Sequence, residues 1–152
     1  FFQLMKTSIS LLSGTAGAIV LNLLHETVRH FRNDAPRVDK FGKILLKRGF
    51  KKARKKPPRG SKLYWSALLT DLASNAIYFS LIGWGKGKNA PSKGLGLGLL
   101  AGVTTLLSPS FLKLPASKVR RRSSTRWMTV LWYTVGGLLA GLTGLMLSRR
   151  NL

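Results

Sequence analysis

Residues 47–62 read KRGFKKARKKPPRGSK, in which nine of sixteen side chains are Lys or Arg. This run belongs to a basic segment, residues 29–62, that holds 14 of the 26 Lys and Arg of the 152-residue chain. A second basic segment, residues 113–126, holds six more. A net charge of +22 is by itself typical of nucleic-acid binding. Charge confined to blocks between apolar stretches instead indicates a multi-pass membrane protein, so nucleic acid is not the partner we expect.

Four apolar segments match the length of roughly 20 residues that a helix needs to cross a bilayer. They are residues 7–28, 63–84, 94–112 and 127–147. A soluble chain of this size could not cover four helices that are apolar on every face. We therefore expect an all-α membrane protein with one transmembrane domain over residues 1–152. Its four spans form two helical hairpins, each closed by a basic loop.

The distribution of Lys and Arg predicts how these hairpins face. The two basic loops, residues 29–62 and 113–126, hold 20 of the 26 basic residues, and only six lie in the other hydrophilic stretches. Cytoplasmic loops carry the excess of Lys and Arg. We expect a bacterial inner-membrane protein with both basic loops in the cytoplasm and both termini on the other side.

The first basic loop contains a helical pattern. Val38, Phe41, Ile44 and Leu45 recur at helical spacing between lysines, which predicts a short amphipathic helix lying in the interface against anionic headgroups. A solvated basic tract follows. Retention of topology explains part of this charge, and a surface for anionic lipid, nucleic acid or an acidic partner would explain the surplus. The basic residues concerned are Lys47, Arg48, Lys51, Lys52, Arg54, Lys55, Lys56, Arg120, Arg121 and Arg122.

Asp71 falls inside the second apolar segment, residues 63–84. An ionisable group at membrane depth normally faces the bundle interior or a cavity. From the rise of about 1.5 Å per residue, Asn22 and Asp71 lie at a similar depth. We expect a polar layer there, which serves either interhelical hydrogen bonding or a proton or ion site. Its members are Asp71, Asn22, Asn75, Thr105 and Thr134.

His25-Glu26-Thr-Val-Arg29-His30 resembles the zinc motif H-E-x-x-H but places its second histidine one residue too late. We interpret Glu26 and Arg29 as an interfacial ion pair and expect no metal and no cofactor. The chain has no cysteine, which excludes disulfides and thiolate metal sites.

Small residues recur four apart along three of the apolar segments, a spacing that lets helix backbones approach closely in lipid. The pattern indicates more contact surface than one bundle needs, so we expect self-association or docking into a larger membrane assembly. The glycines assigned to packing are Gly14, Gly17, Gly98, Gly102, Gly137 and Gly141.

Residues 21–42, LNLLHETVRHFRNDAPRVDKFG, with residues 69–83, LTDLASNAIYFSLIG, resemble a group of small four-helix membrane proteins of bacteria, especially of the Bacteroidota type. The resemblance spans most of the chain and implies a four-helix fold and an inner-membrane location. It implies no known activity.

These patterns predict a non-enzymatic accessory or structural subunit that binds anionic lipid or an acidic partner through its basic loops. The alternative is a small oligomeric channel or proton-coupled transporter that uses the polar layer around Asp71. With no paired acid and base, an enzyme is the least supported class.

Overall fold

The computed structural model describes residues 6–84, 87–113 and 122–150, and this part of the chain is helical without a strand. The five α-helices are α1 (Thr7–Phe31), α2 (Val38–Lys52), α3 (Gly60–Ser80), α4 (Ala90–Phe111) and α5 (Ser123–Arg150). Short 3₁₀ turns at Leu81–Gly83 and Gly87–Asn89 join α3 to α4.

The four long helices, α1, α3, α4 and α5, alternate in direction. On α1, Gly14 lies against Ala76 and Ser80 near the end of α3, whereas Arg29 reaches Tyr64 near its start, so the two helices are antiparallel. The contacts between α4 and α5 show that these two helices are antiparallel as well. The core between them is closed by large buried side chains, among them Leu21, Phe79, Ile82 and Trp132.

Hydrogen bonds place both basic connections at one end of this bundle. The Thr125 hydroxyl at the start of α5 donates to the carbonyl of Asp34, between α1 and α2, at 2.7 Å. The Arg48 guanidinium of α2 donates to the carbonyls of Leu112 and Lys113, at the end of α4, at 2.5 and 3.1 Å. The shared end agrees with the predicted arrangement of the basic loops, and it satisfies carbonyls that the end of α4 leaves without a helical partner.

Glycine makes the contact between α4 and α5 possible. A Cβ atom on Gly94 would lie only 2.1 Å from the carbonyl oxygen of Gly137, and one on Gly98 would lie 2.5 Å from that of Tyr133. Gly102 and Gly141 face similarly close backbone atoms of the opposite helix. These helices therefore pack backbone against backbone, as small-residue interfaces in membranes do.

The other two packing glycines are also used inside the bundle. Gly14 packs on the α3 backbone and Gly17 on the carbonyl of Gly136 in α5. All six predicted packing glycines therefore make contacts within one chain. The glycines named for this excess contact surface are thus used inside the bundle, and self-association or docking into a larger membrane assembly stays a prediction.

Three helical stretches are long and apolar enough to cross a membrane, namely Thr7–Phe31, Gly87–Phe111 and Ser123–Arg150. The fourth predicted span, residues 63–84, corresponds to α3 and its following turn and is not confirmed as a span. Its composition is the physical reason, because α3 carries Asp71, Asn75 and several hydroxyl residues that lower its hydropathy.

The predicted helix in the first basic loop is present and longer than expected. It begins at Val38 and continues to Lys52, so Lys51 and Lys52, which the sequence placed in the solvated tract after the helix, are helical. Phe41 is buried, with Ile44 packed on it, and the Cβ position of Gly42 lies 3.9 Å from Ala67 of α3. The apolar face of α2 is thus turned toward α3.

Candidate functional site

A cluster of charged side chains joins α1, α2 and α3, and we call its members, Glu26, Arg29, Asp39, Lys43 and Tyr64, the junction cluster. Arg29 lies between two carboxylates, with Nη2 2.7 Å from Glu26 Oε2 and Nη1 3.1 Å from Asp39 Oδ2. Lys43 Nζ adds a longer contact of 3.8 Å to Asp39 Oδ2. The ion pair expected between Glu26 and Arg29 is therefore present, and it extends to α2.

Tyr64 ties α3 into the junction cluster. Its hydroxyl donates to Glu26 Oε2 at 2.7 Å and accepts from Arg29 Nη2 at 3.3 Å. Lys43 Nζ lies 4.8 Å from the centre of the Tyr64 ring, within the range of a cation–π contact. The side chains of Arg29 and Asp39 are only 18% and 11% exposed, so these charges are poorly screened by solvent and depend on one another.

A small cavity lies beside the junction cluster, and we call it the small polar cavity because charged and amide residues are among those that line it, although most of its lining surface is apolar. It has a volume of about 30 Å³, which is room for about two water molecules. Two buried polar atoms of its lining residues, Nε2 of His25 and Oδ1 of Asp39, find no hydrogen-bond partner within the described residues. The cavity extends from Glu26 and Tyr64 to Asn22 and Asp71, so it connects the junction cluster with the polar residues of the bundle.

Asp71 lies in the predicted polar layer. Its carboxyl lies near the side-chain amides of Asn22 and Asn75. The Asn22 amide donates to the carbonyl of Ala18 at 3.1 Å, and Nδ2 of Asn75 has no hydrogen-bond partner within the described residues. The Tyr133 hydroxyl in turn contacts the side chains of Asn75 and Thr105. Polar groups of α1, α3, α4 and α5 thus meet at one level.

Within the described residues, no contact joins the Thr134 side chain to this layer. Its hydroxyl donates to the carbonyl of Val130 in its own helix at 2.7 Å. Tyr133 takes the predicted place, because the adjacent residue on a helix points about 100° away and the buried direction here belongs to position 133.

A larger groove separates α2 from α3. Its volume is about 520 Å³. Its apolar lining includes Leu45, Leu46 and Phe50 of α2, Ala53 directly after α2, and Ala67 of α3. Lys55 also lines the groove, and Thr70, Asp71 and Ser74 form its wall on α3. Asp71 therefore borders the small polar cavity and this groove at the same time.

The basic side chains after the first turns of α2 point outward. Lys47, Lys51, Lys52, Arg54, Lys55 and Lys56 are exposed, and so is Arg122 before α5. Arg48 is exposed but engages the end of α4, so it is not a free member of the predicted tract. Arg120 and Arg121 lie outside the described residues.

All four acidic side chains of the chain have interactions away from the exposed basic tract. Glu26 and Asp39 pair with Arg29, and Asp71 lies among amides. Asp34 is held by a bidentate contact with Arg32 at 3.0 Å. That contact, with a further hydrogen bond from Ser124, keeps the pKa of the Asp34 carboxyl below its ordinary value. Since the sequence contains only these four acids, the exposed basic tract receives no neutralising carboxylate from the chain's own acidic side chains.

The described residues contain no group of three or more His, Asp or Glu placed to hold a metal ion. His25 is instead buried against the rings of Trp132 and Tyr133, at centroid distances of 5.0 and 5.8 Å. Nothing in this arrangement tests whether a cofactor binds, and that absence stays a prediction.

Comparison of the chain with models of protein families, with curated proteins and with solved structures found no match. The resemblance to small bacterial four-helix membrane proteins therefore stays a prediction.

Sequence reasoning missed three members of the junction cluster, Asp39, Lys43 and Tyr64. The pairing of Asp39 with Lys43 at a spacing of four residues was a readable local signal. The link from either residue to Tyr64 was not, because it depends on how α2 folds back on α3.

We expect Arg29→Gln to lower the free energy of unfolding by about 2 kcal/mol, because Glu26 and Asp39 would lose their shared cation in a poorly hydrated place. Unfolding of the full chain by sodium dodecyl sulfate in mixed micelles, followed by circular dichroism, measures the loss. The matched control is Arg32→Gln, which breaks the more exposed pair with Asp34 and should cost much less. Equal losses in the two variants would contradict the assigned importance of the junction cluster.

Proposed function

We propose that this protein is a non-enzymatic integral membrane protein with four spans, which acts as an accessory or structural subunit and binds anionic lipid headgroups through its basic segment. The observation that carries the proposal is the exposed basic tract in the last turns of α2 and directly after it, to which none of the four acidic side chains of the chain supplies a counter-charge. Anionic headgroups at the cytoplasmic surface attract such juxtamembrane lysines and arginines by about 1 kcal/mol each.

The outward faces of all four long helices support placement in lipid. Large apolar side chains are more than half exposed on each, for example Leu12 on α1, Ile77 on α3, Leu100 on α4 and Leu131 on α5. Exposed apolar surface on this scale is rare in soluble monomers. The 21 residues of α3 would span about 31 Å, close to the thickness of the hydrocarbon core of a bilayer.

Aromatic residues support the same placement. Phe31, Phe111 and Trp127 are at least 74% exposed at the helix ends beside the basic connections, and Trp84 is 76% exposed at the opposite end. Tryptophan favours the interface between lipid and water. With the basic end in the cytoplasm, both termini would lie on the other side of a bacterial inner membrane.

We expect α2 to be held more firmly to bilayers that contain anionic lipid. In nanodiscs of phosphatidylglycerol, hydrogen exchange measured by mass spectrometry should be slower in α2 than in nanodiscs of phosphatidylcholine, and 0.5 M salt should reduce the difference. The double substitution Lys51→Gln/Lys52→Gln should reduce the difference in the protection of α2 between the two lipids by about 2 kcal/mol. The control pair Arg149→Gln/Arg150→Gln removes the same charge at the other end and should leave it unchanged. Equal protection in the two lipids would refute lipid binding by the tract.

A second candidate function is proton-linked transport or conduction, alone or as an oligomer. The observation that favours it is the position of Asp71 between the small polar cavity and the groove. A carboxyl with polar access on one side and an opening on the other has the arrangement of a proton relay, and ionisable residues at membrane depth commonly serve one.

We expect Asp71→Asn to abolish any proton flux into liposomes that contain the reconstituted protein, because the asparagine amide neither ionises nor takes up a proton near neutral pH. A pH-sensitive dye inside the liposomes measures the flux. The double variant Asp71→Asn/Asn75→Asp moves the carboxyl by one helical turn. Its flux tests whether a carboxyl at that position restores proton transfer. Flux that is absent in the wild type, or unchanged by Asp71→Asn, would exclude this candidate.

A further inference from the structure

We propose that the groove between α2 and α3 is a binding site for one anionic phospholipid of the bilayer, with the phosphate at Lys55 and an acyl chain along the apolar wall of α2. This inference rests on the proposed function, because it needs the basic end of the bundle to lie at an anionic lipid surface. It adds a defined site and a stoichiometry of one to what would otherwise be diffuse attraction.

The size and lining of the groove fit such a ligand. Its volume of about 520 Å³ lies within the range of small-molecule pockets. The side chains of Leu45, Leu46 and Phe50 form one wall, with Ala67 opposite. An acyl chain that packs against these apolar side chains gains free energy. The polar junction cluster nearby offers it no such gain.

The polar residues on the α3 wall have no free hydroxyl donors to offer. The Thr70 hydroxyl donates to the carbonyl of Ser66 at 2.7 Å, and the Ser74 hydroxyl donates to that of Asp71 at 3.0 Å. Their outward surface is therefore compatible with a hydrocarbon chain. The carboxyl of Asp71 would repel a phosphate, so the headgroup belongs at the Lys55 end of the groove.

The backbone turn after α2 places Lys55 there. Arg54 has φ of 56°, the left-handed conformation that favours glycine. The amide of Lys55 donates to the carbonyl of Phe50 at 2.9 Å, and that of Arg54 donates to Lys51 at 3.0 Å. These two bonds form a Schellman turn, which folds the chain back so that Lys55 lines the groove beside Phe50. Arginine is an unfavourable residue at the left-handed position of this turn, and backbone strain of this kind is frequent where a protein holds a ligand.

Charge selects an anionic occupant over a zwitterionic one. Lys55 is exposed and follows Lys51, Lys52 and Arg54 in a tract to which the acidic side chains of the chain supply no partner. A phosphodiester with a neutral headgroup, as in phosphatidylglycerol, keeps its full negative charge for these cations. The ammonium group of phosphatidylethanolamine would compete with them.

Two matched pairs of variants separate the site from diffuse attraction. Gly49 lines the groove and has no atom within 4 Å of its Cβ position, so Gly49→Leu fills the groove without a clash in the helix. Gly96 of α4 has the same open surroundings away from the groove, and Gly96→Leu is its control. Lys55→Gln and Lys56→Gln remove equal charge at adjacent positions, but only Lys55 lines the groove.

Native mass spectrometry of the full chain, released from micelles titrated with phosphatidylglycerol or phosphatidylethanolamine, tests the proposal. We expect one phosphatidylglycerol to bind with a clear preference. Gly49→Leu should weaken it about tenfold, since the acyl chain would lose its place on the apolar wall. Lys55→Gln should weaken it about fivefold, the equivalent of about 1 kcal/mol per basic residue. Gly96→Leu and Lys56→Gln should bind as the wild type does.

Equal weakening by Lys55→Gln and Lys56→Gln, with the preference for phosphatidylglycerol retained, would overturn the groove site and leave diffuse binding by the tract intact. If the wild type showed no preference for phosphatidylglycerol over phosphatidylethanolamine, the groove site and the proposed function would both be overturned. The lysine pair decides the matter even where Gly49→Leu fails to fold, because neither lysine is packed in the bundle.

Discussion

The close approach of helix backbones at glycine is the contact on which the rest of this structure depends. Gly94 and Gly137 meet where a single added carbon would lie about 2 Å from a carbonyl oxygen. Such contacts have little lateral freedom, so they determine which face of α5 turns inward. That face carries Trp132 and Tyr133, and their rings enclose His25. The level and direction of the polar layer therefore follow from glycine packing.

At the basic end of the bundle, the junction cluster fixes how α1, α2 and α3 pack together. Arg29 binds a carboxylate of its own helix and one of α2, while Tyr64 brings in α3. Because the cluster holds only the start of α2 beside α3, the later part of α2 leaves the groove between them. The junction cluster thus accounts for the small polar cavity and the groove, and Asp71 lines both of them. Use of these acids within the cluster is also what leaves the basic tract without a partner.

Local patterns in the sequence were sufficient for most of the architecture. The apolar segments gave helices whose ends lie within a few residues of the predicted bounds, although α3 lacks the hydropathy of the other three. The pair of Glu26 and Arg29, three residues apart on one helix, was also predictable.

Depth along a helix can be counted from the rise per residue, which is why Asn22, Asp71 and Thr105 were assigned to one level. Rotation about the helix axis cannot be counted as accurately, and Tyr133 therefore replaced Thr134. Whether a glycine face meets a helix of the same chain or of another molecule depends on tertiary packing, which the spacing of small residues along one segment does not give.

The central claim is that four helices cross the membrane with both basic connections on the cytoplasmic side. Because the chain has no cysteine, single substitutions at exposed positions give unambiguous labels for an impermeant maleimide. In intact spheroplasts, Ser92→Cys should react from outside, whereas Ser61→Cys and Ser123→Cys should react only after the membrane is opened. Labelling of Ser61→Cys and Ser92→Cys from the same side would show that α3 does not cross, and would contradict the account.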